Sequence, residues 1–211
     1  LACKTEEIDF FDGVFSPRKT NHQFSFVDVA IKTEHIDGPL KIARNNEMHT
    51  PVYPNGTAIC ELEIDPETGV LEVIRYCSID DVGRCINPLI VHGQTHGGIV
   101  QGAGQALFEH CAVDTSSGQP IAGSIMDYGI ARADDFPSFK TEIAEVLSPT
   151  NPLGIKAGGE GGTTPALAVI VNGVVDALSE LGVSDISMPV TPQTIWTAIQ
   201  KAKAKNLHYK V

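Results

Sequence analysis

The sequence predicts an α+β fold, with a strand pair forming a sheet and helices packed on it. Three observations carry that expectation. Over residues 57–64, Ala58, Cys60, Leu62 and Ile64 alternate with Thr57, Ile59, Glu61 and Glu63, the period of a strand with one face in a core. A second strand over 70–79 follows Asp65-Pro66-Glu67-Thr68-Gly69, whose Pro fixes φ and whose Gly tolerates φ > 0, so the two strands form a hairpin. Further on, Leu167, Ile170, Val171, Val174, Val175 and Leu178 recur at helical spacing and form a broad apolar stripe.

The other elements follow in chain order. Asp9 to Val14 reads as a short strand turning at Asp12-Gly13, and Phe24 to Ala30 as a strand running into a short helix near 27–34. Residues 37–56 hold Gly38, Pro39, Pro51, Pro54 and Gly56, the composition of an irregular connection. Asp80-Asp81-Val82-Gly83 and Asn87-Pro88 mark a loop. A helix then begins within 89–94 and continues to Glu109, although Gly97, Gly98, Gly102 and Gly104 interrupt it. An interior Gly costs about 1 kcal/mol relative to Ala, so these four argue for close approach by another backbone or a ligand. Ser124 to Tyr128 predicts another short strand. Thr163-Thr164 caps the striped helix, with Pro165 at its first position and Gly182 as its stop. A last helix starts at Thr191-Pro192, carries Ile195, Trp196 and Ile199, and ends in Lys201, Lys203 and Lys205, whose cations complement the helix dipole.

Composition bounds the function. The chain has 211 residues and 22.5 kDa, 42% hydrophobic and 19% charged, enough for one sizeable domain, expected over 1–211. At that size roughly 70% of the unfolded surface is buried without a disulfide or metal staple. Fifteen Lys+Arg against 26 Asp+Glu give a formal charge of −11. That balance disfavours a free-standing nucleic-acid binder and an anionic membrane surface as partners. No apolar run is read as approaching the ~18 residues of a membrane span. Cys3, Cys60, Cys77, Cys85 and Cys111 are odd in number and scattered, a pattern that suits reduced thiols and a cytoplasmic location. The start at Leu1-Ala2-Cys3-Lys4 reads like the interior of a longer protein.

Chemistry concentrates in Gly158-Gly159-Glu160-Gly161-Gly162, just before a helix start. Four glycines remove side-chain bulk around one carboxylate, which suits general-base work near a helix N-terminus. A flexible loop with a solvated Glu is the alternative from this segment alone. The Lys-Ser/Thr ending of a nucleotide phosphate loop is missing, and Lys156 precedes the glycines instead. Gln94, Gln101 and Gln105 share the Gly-rich helix, and their amides could read a heterocycle edge or simply face solvent. His92 and His96 are spaced for one helical face, but with no third ligand at a convincing offset they read as ordinary hydrogen-bonded histidines, not metal ligands. Asp80-Asp81 and Asp134-Asp135 read as turn and cap residues rather than catalytic pairs.

Together these segments resemble the C-terminal part of the molybdenum-binding large subunit of the xanthine dehydrogenase, aldehyde oxidase and carbon monoxide dehydrogenase family, closest in style to carbon monoxide dehydrogenase-like large chains. The landmarks are Ile64–Gly69, Asp80-Asp81-Val82-Gly83 with Ile86-Asn87-Pro88, the stretch His92–Leu107, Met126-Asp127-Tyr128, Pro152–Gly161 and Met188-Pro189-Val190-Thr191-Pro192.

The resemblance implies a mixed sheet with packed helices, the molybdenum cofactor-binding domain of such enzymes. It implies Glu160 as the catalytic base beside molybdenum, and Gln101 with Gly102, Gly98 and Gly159 as cofactor-binding positions. No protein side chain is implied as a metal ligand. The cofactor would be molybdopterin cytosine dinucleotide with molybdenum. Water-derived oxygen would be inserted at the carbon of an aldehyde, an N-heterocycle or a similar small-molecule substrate, or CO would be oxidised. Electrons would leave through [2Fe-2S] clusters and FAD held by an iron–sulfur small subunit and an FAD-binding medium subunit, in a dimer of the full assembly. Ala157 replaces the family's usual Gly after Lys156. The family's Gly-Gly-x-Glu-x-Gly-Gln-Gly segment has no counterpart in this sequence, so the upstream half of the large subunit is expected as a partner that completes the cofactor site. Without that half, the chain is expected neither to retain molybdopterin nor to turn over substrate. A non-catalytic scaffold of the same fold and an independent nucleotide-binding module are the competing readings.

Overall fold

In a computed structural model, which describes residues 3–45, 47 and 50–208, the chain divides into two compact units, 1–47 and 48–211. The first unit is a three-stranded antiparallel sheet, β1 (Ile8–Phe11), β2 (Val14–Pro17) and β3 (Phe24–Ser25), followed by α1 (Phe26–Asp37). The β1–β2 turn is the expected Asp12-Gly13, both at positive φ. α1 is longer than predicted because Ser25 and Asp28 close a capping box at its start, with Ser25 Oγ accepting from the Asp28 N–H at 3.1 Å.

The second unit holds β4 (Asn55–Ile64), β5 (Leu71–Asp81), α2 (Pro88–Leu107), β6 (Lys140–Ile143), α3 (Thr163–Leu178) and α4 (Pro192–His208). β4 and β5 form the predicted antiparallel hairpin, and the alternation holds: Ala58, Cys60, Leu62 and Ile64 turn inward while Ile59 stays exposed. β6 adds to β5 in parallel, which makes the sheet mixed. That strand was not legible in the sequence, because Lys140-Thr141-Glu142-Ile143 is short and polar. The segment Ser124–Tyr128 forms a turn instead of the expected strand, with Asp127 donating its N–H to the Ser124 carbonyl at 3.0 Å. Ser124 Oγ also donates to the Asp127 carboxylate, so local side-chain bonding outcompetes a ladder.

α2 begins one residue before its predicted range, with Asn87 Oδ1 accepting from the Ile90 N–H and Pro88 in the first turn. α3 begins at Thr163 rather than Pro165, and a 3-10 turn over Ser179–Leu181 extends it. Residues 163–181 are therefore long and apolar enough to cross a membrane by length and composition alone, which corrects the reading that no run approaches that size. Here the same residues build the core. Ile170, Val174 and Leu178 are buried with Ile195, Ile199, Val190 and Val73, and Leu62 and Ile64 pack against that cluster. A smaller cluster of Tyr76, Ile99 and Ala166 lies where α2 meets α3.

Ile170 is 0% exposed at the centre of the larger cluster. Ile170→Ala should destabilise the protein by about 3 kcal/mol, the loss of transfer energy plus a cavity. Chemical denaturation reads this as a lower midpoint at unchanged slope.

Candidate active site

The sheet changes character along β5. Glu61 pairs with Arg75 but Leu62 pairs with Val73, so Ile74 is an extra, bulged residue. A bulge shifts side-chain parity by one. Before it Leu71 and Val73 point to the core, and after it Tyr76, Ser78 and Asp80 do. One end of the inner face is therefore apolar and the other polar. Ser78 Oγ donates to Asp80 Oδ2 at 3.1 Å, and burial pushes the Asp80 carboxyl above the usual range. Burial also raises the Tyr76 phenol, whose hydroxyl has no hydrogen-bond partner among the described residues.

Asp81, the next residue, gathers three segments. Its carboxylate accepts from the Gly83 N–H at 2.8 Å, from the Val146 N–H at 3.1 Å and from Lys156 Nζ at 2.5 Å. Both side chains of the ion pair are 10% exposed. Burial works to raise the Asp81 carboxyl, but the bonds from Lys156, Gly83 and Val146 outweigh it and hold it below the ordinary range. The sequence reading of Asp81 as a turn residue is thus part of its role, and the ion pair is the part that local sequence did not reveal. Asp135 fits the cap reading directly, accepting from the Arg132 N–H at 2.7 Å.

α2 and α3 touch backbone to backbone. A Cβ on Gly102 would stand 2.4 Å from the Thr163 carbonyl oxygen, and one on Gly98 3.0 Å from the Thr163 nitrogen. Reciprocally, a Cβ on Gly162 would stand 2.3 Å from the Thr95 carbonyl oxygen. The close approach inferred from the helix glycines is therefore made, at Gly98 and Gly102, by protein rather than by a ligand. These two positions face α3. Packing against the start of α3 accounts for their missing side chains.

The glycine loop leaves that contact and carries Glu160. Its first residue boundary is fixed by the Lys156 N–H, which donates to the Val82 carbonyl at 2.8 Å, and by a bridge between Gly83 and Ile155. Gln94 Nε2 donates to the Gly159 carbonyl at 2.9 Å, and the Thr164 N–H donates to the Glu160 carbonyl at 3.2 Å. Glu160 itself is exposed, and its carboxylate has no hydrogen bond or ion pair among the described residues. Open space surrounds Gly159 where a side chain would project. Gln101 Oε1 accepts a 3.4 Å bond from Thr163 Oγ1, which leaves its amide N–H groups turned to donate elsewhere. A cavity of about 340 Å³ beside the loop is lined by Arg84, Ile90, Gln94, Ile155, Lys156 and Gly159, among others. Glu160, Gly159 and Gln101 are each exposed, as is Gln105, which has no hydrogen bond to the loop among the described residues.

His92 and His96 behave as expected of hydrogen-bonded histidines. His92 Nδ1 and His96 Nε2 lie 2.8 and 3.0 Å from the same hydroxyl, Thr141 Oγ1, and no group of three metal-binding side chains exists among the described residues.

The family described as the molybdopterin cofactor-binding domain matches residues 1–137. The gamma subunit of the 6-hydroxypseudooxynicotine dehydrogenase complex of Paenarthrobacter nicotinovorans is 35% identical over 95% of this chain and 26% of its own length. The carbon monoxide dehydrogenase large chain of Hydrogenophaga pseudoflava is 32% identical over 71% of this chain and 18% of its own. Among solved structures, quinoline 2-oxidoreductase from Pseudomonas putida 86 superposes with a TM-score of 0.82 at 33% identity, covering 94% of this chain and 26% of that one. The chain therefore spans about a quarter, or less, of the proteins it resembles.

The ion pair gives a pH-dependent prediction. Because Asp81 is lowered in the folded state, its stabilisation is present above the unfolded carboxylate pKa and is lost as pH falls through the lower folded value. Asp80 has the opposite sign, costing stability at neutral pH until acid protonates it. Lys156→Met should lose about 2 kcal/mol at neutral pH, below the range for a wholly dry pair because the site is near solvent. It should also lose less than wild type on acidification to about pH 3, since Asp81 then has less to give up. Urea denaturation at both pH values checks this, and a wild-type midpoint at neutral pH would refute it.

Proposed function

The chain belongs to the molybdopterin cofactor-binding domain family of molybdenum hydroxylases, and from that membership we propose that it supplies the catalytic base, Glu160, and one wall of the molybdenum cofactor site in a large subunit of that kind. The observation that carries the proposal is Glu160 itself: an exposed, unpaired carboxylate fixed on a glycine loop beside open space. A degenerate scaffold would be expected to lose this acid, whereas here it stands in its glycine frame.

The residues fit a bound cofactor on the accessible side of the loop. Gly159 offers room for close approach of a ligand to the backbone, and Gln101, whose amide oxygen is held by Thr163, has N–H donors to offer from α2. Gly98 and Gly102 act behind this surface, holding α2 against α3. When bound, the molybdenum cofactor supplies the two-electron oxidation of the substrate carbon. The chain's own contribution is proton handling and placement. Glu160 takes a proton at a carboxylate oxygen from the water-derived nucleophile, which a free carboxylate can do and an ion-paired one does poorly. Gln101 orients the cofactor by hydrogen bonding, and the loop keeps the carboxylate within reach.

We further assign the cofactor as the cytosine dinucleotide form, with FAD and [2Fe-2S] clusters in partner subunits and the upstream half of the large subunit completing the site. A cytoplasmic location goes with this assignment. For the substrate, the relatives named for a hydroxylated nicotine derivative and for quinoline, at 35% and 33% identity over nearly the whole chain, favour an N-heterocycle over an aldehyde or CO.

In the complete enzyme, Glu160→Gln should keep molybdenum content unchanged and lower turnover by ~10²-fold or more, since losing a positioned base costs 10²–10⁴. Metal analysis and steady-state assay with pyridine or quinoline substrates check both parts. Near-wild-type turnover would remove Glu160 as the base, and turnover of CO alone would overturn the substrate class.

A further inference from the structure

We propose that Gln94 is a positioning residue for Glu160, its side-chain amide clamping the peptide that carries the base. The inference rests on the reading of Glu160 above and adds a residue that local sequence offered only as a reader of a heterocycle edge or as an amide facing solvent.

Three observations support it. First, the loop between Lys156 and Thr163 has four glycines in six residues, the composition with the most conformational freedom to lose on ordering. Such a loop holds a side chain in place only where it is tethered. Second, the tethers are few and known. The entry is fixed by Lys156 on Asp81 and on the Val82 carbonyl, and the exit by Gly162 pressed on the backbone of α2. Between them lie the Thr164 N–H on the Glu160 carbonyl and, as the side-chain bond nearest to Glu160 in sequence, Gln94 Nε2 on the Gly159 carbonyl at 2.9 Å. The bonded carbonyl belongs to the peptide that joins Gly159 to Glu160, so the bond fixes the orientation of the Glu160 N–H and, through it, the direction of the side chain.

Third, Gln94 has no structural duty that competes with this one. It is exposed, so it adds nothing to the core, and its amide has no other partner among the described residues. Its place follows from the helix. Gln94, Gly98, Gln101, Gly102 and Gln105 lie on one face of α2 at spacings of three, four and one. The glycines of that face admit the start of α3, which carries the loop over Gln94 one turn earlier. An exposed glutamine held by one loop carbonyl is thereby explained as a consequence of where the glycines are.

The test uses the complete molybdenum enzyme that contains this chain, with Gln94→Met and Gln94→Glu removing the donor at similar size. Amide hydrogen exchange at Thr164, whose N–H donates to the Glu160 carbonyl, should rise about tenfold in the Met and Glu variants, the value of roughly one hydrogen bond. With saturating N-heterocycle, kcat should fall about tenfold while KM stays within twofold and molybdenum content is unchanged, because small misplacement of a reacting group is expensive. Unchanged exchange and unchanged kcat in Gln94→Glu would overturn the clamp. So would a rise in KM with kcat intact, which would make Gln94 a binding residue instead. Glu160→Gln serves as the separating control. If it abolishes turnover while the Gln94 variants are silent, only the clamp fails, and if it leaves turnover intact, the assignment of the base fails regardless of Gln94.

Discussion

The contact of α2 with α3 at the level of their backbones is the constraint that organises this molecule. Two helices bearing ordinary side chains lie about 8–10 Å apart at their axes. Gly98, Gly102 and Gly162 allow a closer meeting, so close that a single methyl group at Gly162 would collide with the Thr95 carbonyl. Everything functional hangs from that crossing. It sets where α3 begins and therefore where the loop before it must run. It also puts Gln94 under Gly159 and Thr163 beside Gln101. The helix-propensity penalty of the glycines in α2 is the cost of this placement, and Ile99 and Ala166, both wholly buried, seal the crossing from the sheet side.

The sheet contributes in a second way, through the one-residue irregularity at Ile74. Without it β5 would keep Leu71 and Val73 in phase with Arg75 and Cys77, and the polar residues would face away from the helices. With it, Asp80, held by Ser78, lies beneath the glycine loop, where a Cβ on Gly161 would meet Asp80 Oδ1 at 3.4 Å. A buried acid above its ordinary pKa is an expensive neighbour for a core, and it stands at the polar end of the sheet rather than among the aliphatic residues. The sheet thus divides its labour, with stability at the Leu62–Val73 end and support of the loop at the other.

Much of this was legible in the sequence, and what escaped has definite causes. The β4–β5 hairpin was plain because strict alternation and Pro-x-x-Gly turn chemistry agree with one another. α3 was plain because its apolar stripe runs unbroken for four turns. β6 carried no signal, since a four-residue strand with Lys140, Thr141 and Glu142 owes its existence to the partner strand and not to its own pattern. The turn at Ser124–Tyr128 was misread because Ile125 and Met126 suggest burial, yet both are exposed and the Ser124–Asp127 bonds close the segment locally. Glu160 stood out by the glycines around it, and Gln101 by resemblance. Gly98 and Gly102 were singled out correctly as points of close approach, but the approaching group is α3. No local rule distinguishes a glycine that admits a ligand from one that admits a helix. The Lys156–Asp81 pair spans 75 positions, beyond the range of any pattern within one element.

With Glu160 as the proposed base, that pair bears on the chemistry as well as on stability. Lys156 lies four residues before Glu160 in a flexible glycine-rich sequence, near enough for the two to pair if nothing else claimed the cation. An ion-paired Glu160 would be a weaker base, since an adjacent cation stabilises the carboxylate relative to its protonated form. Asp81 removes that possibility by holding Lys156 Nζ at 2.5 Å in a site only one-tenth exposed, where the Gly83 and Val146 N–H groups help to fix the carboxylate. The cation that anchors the loop is thus kept away from the acid that the loop presents. A tether made of aliphatic packing could fix the loop equally well, but a lysine on an aspartate fixes it directionally. The same bond leaves Glu160 without a charged partner, which is the condition under which a carboxylate on a glycine loop can serve as a base.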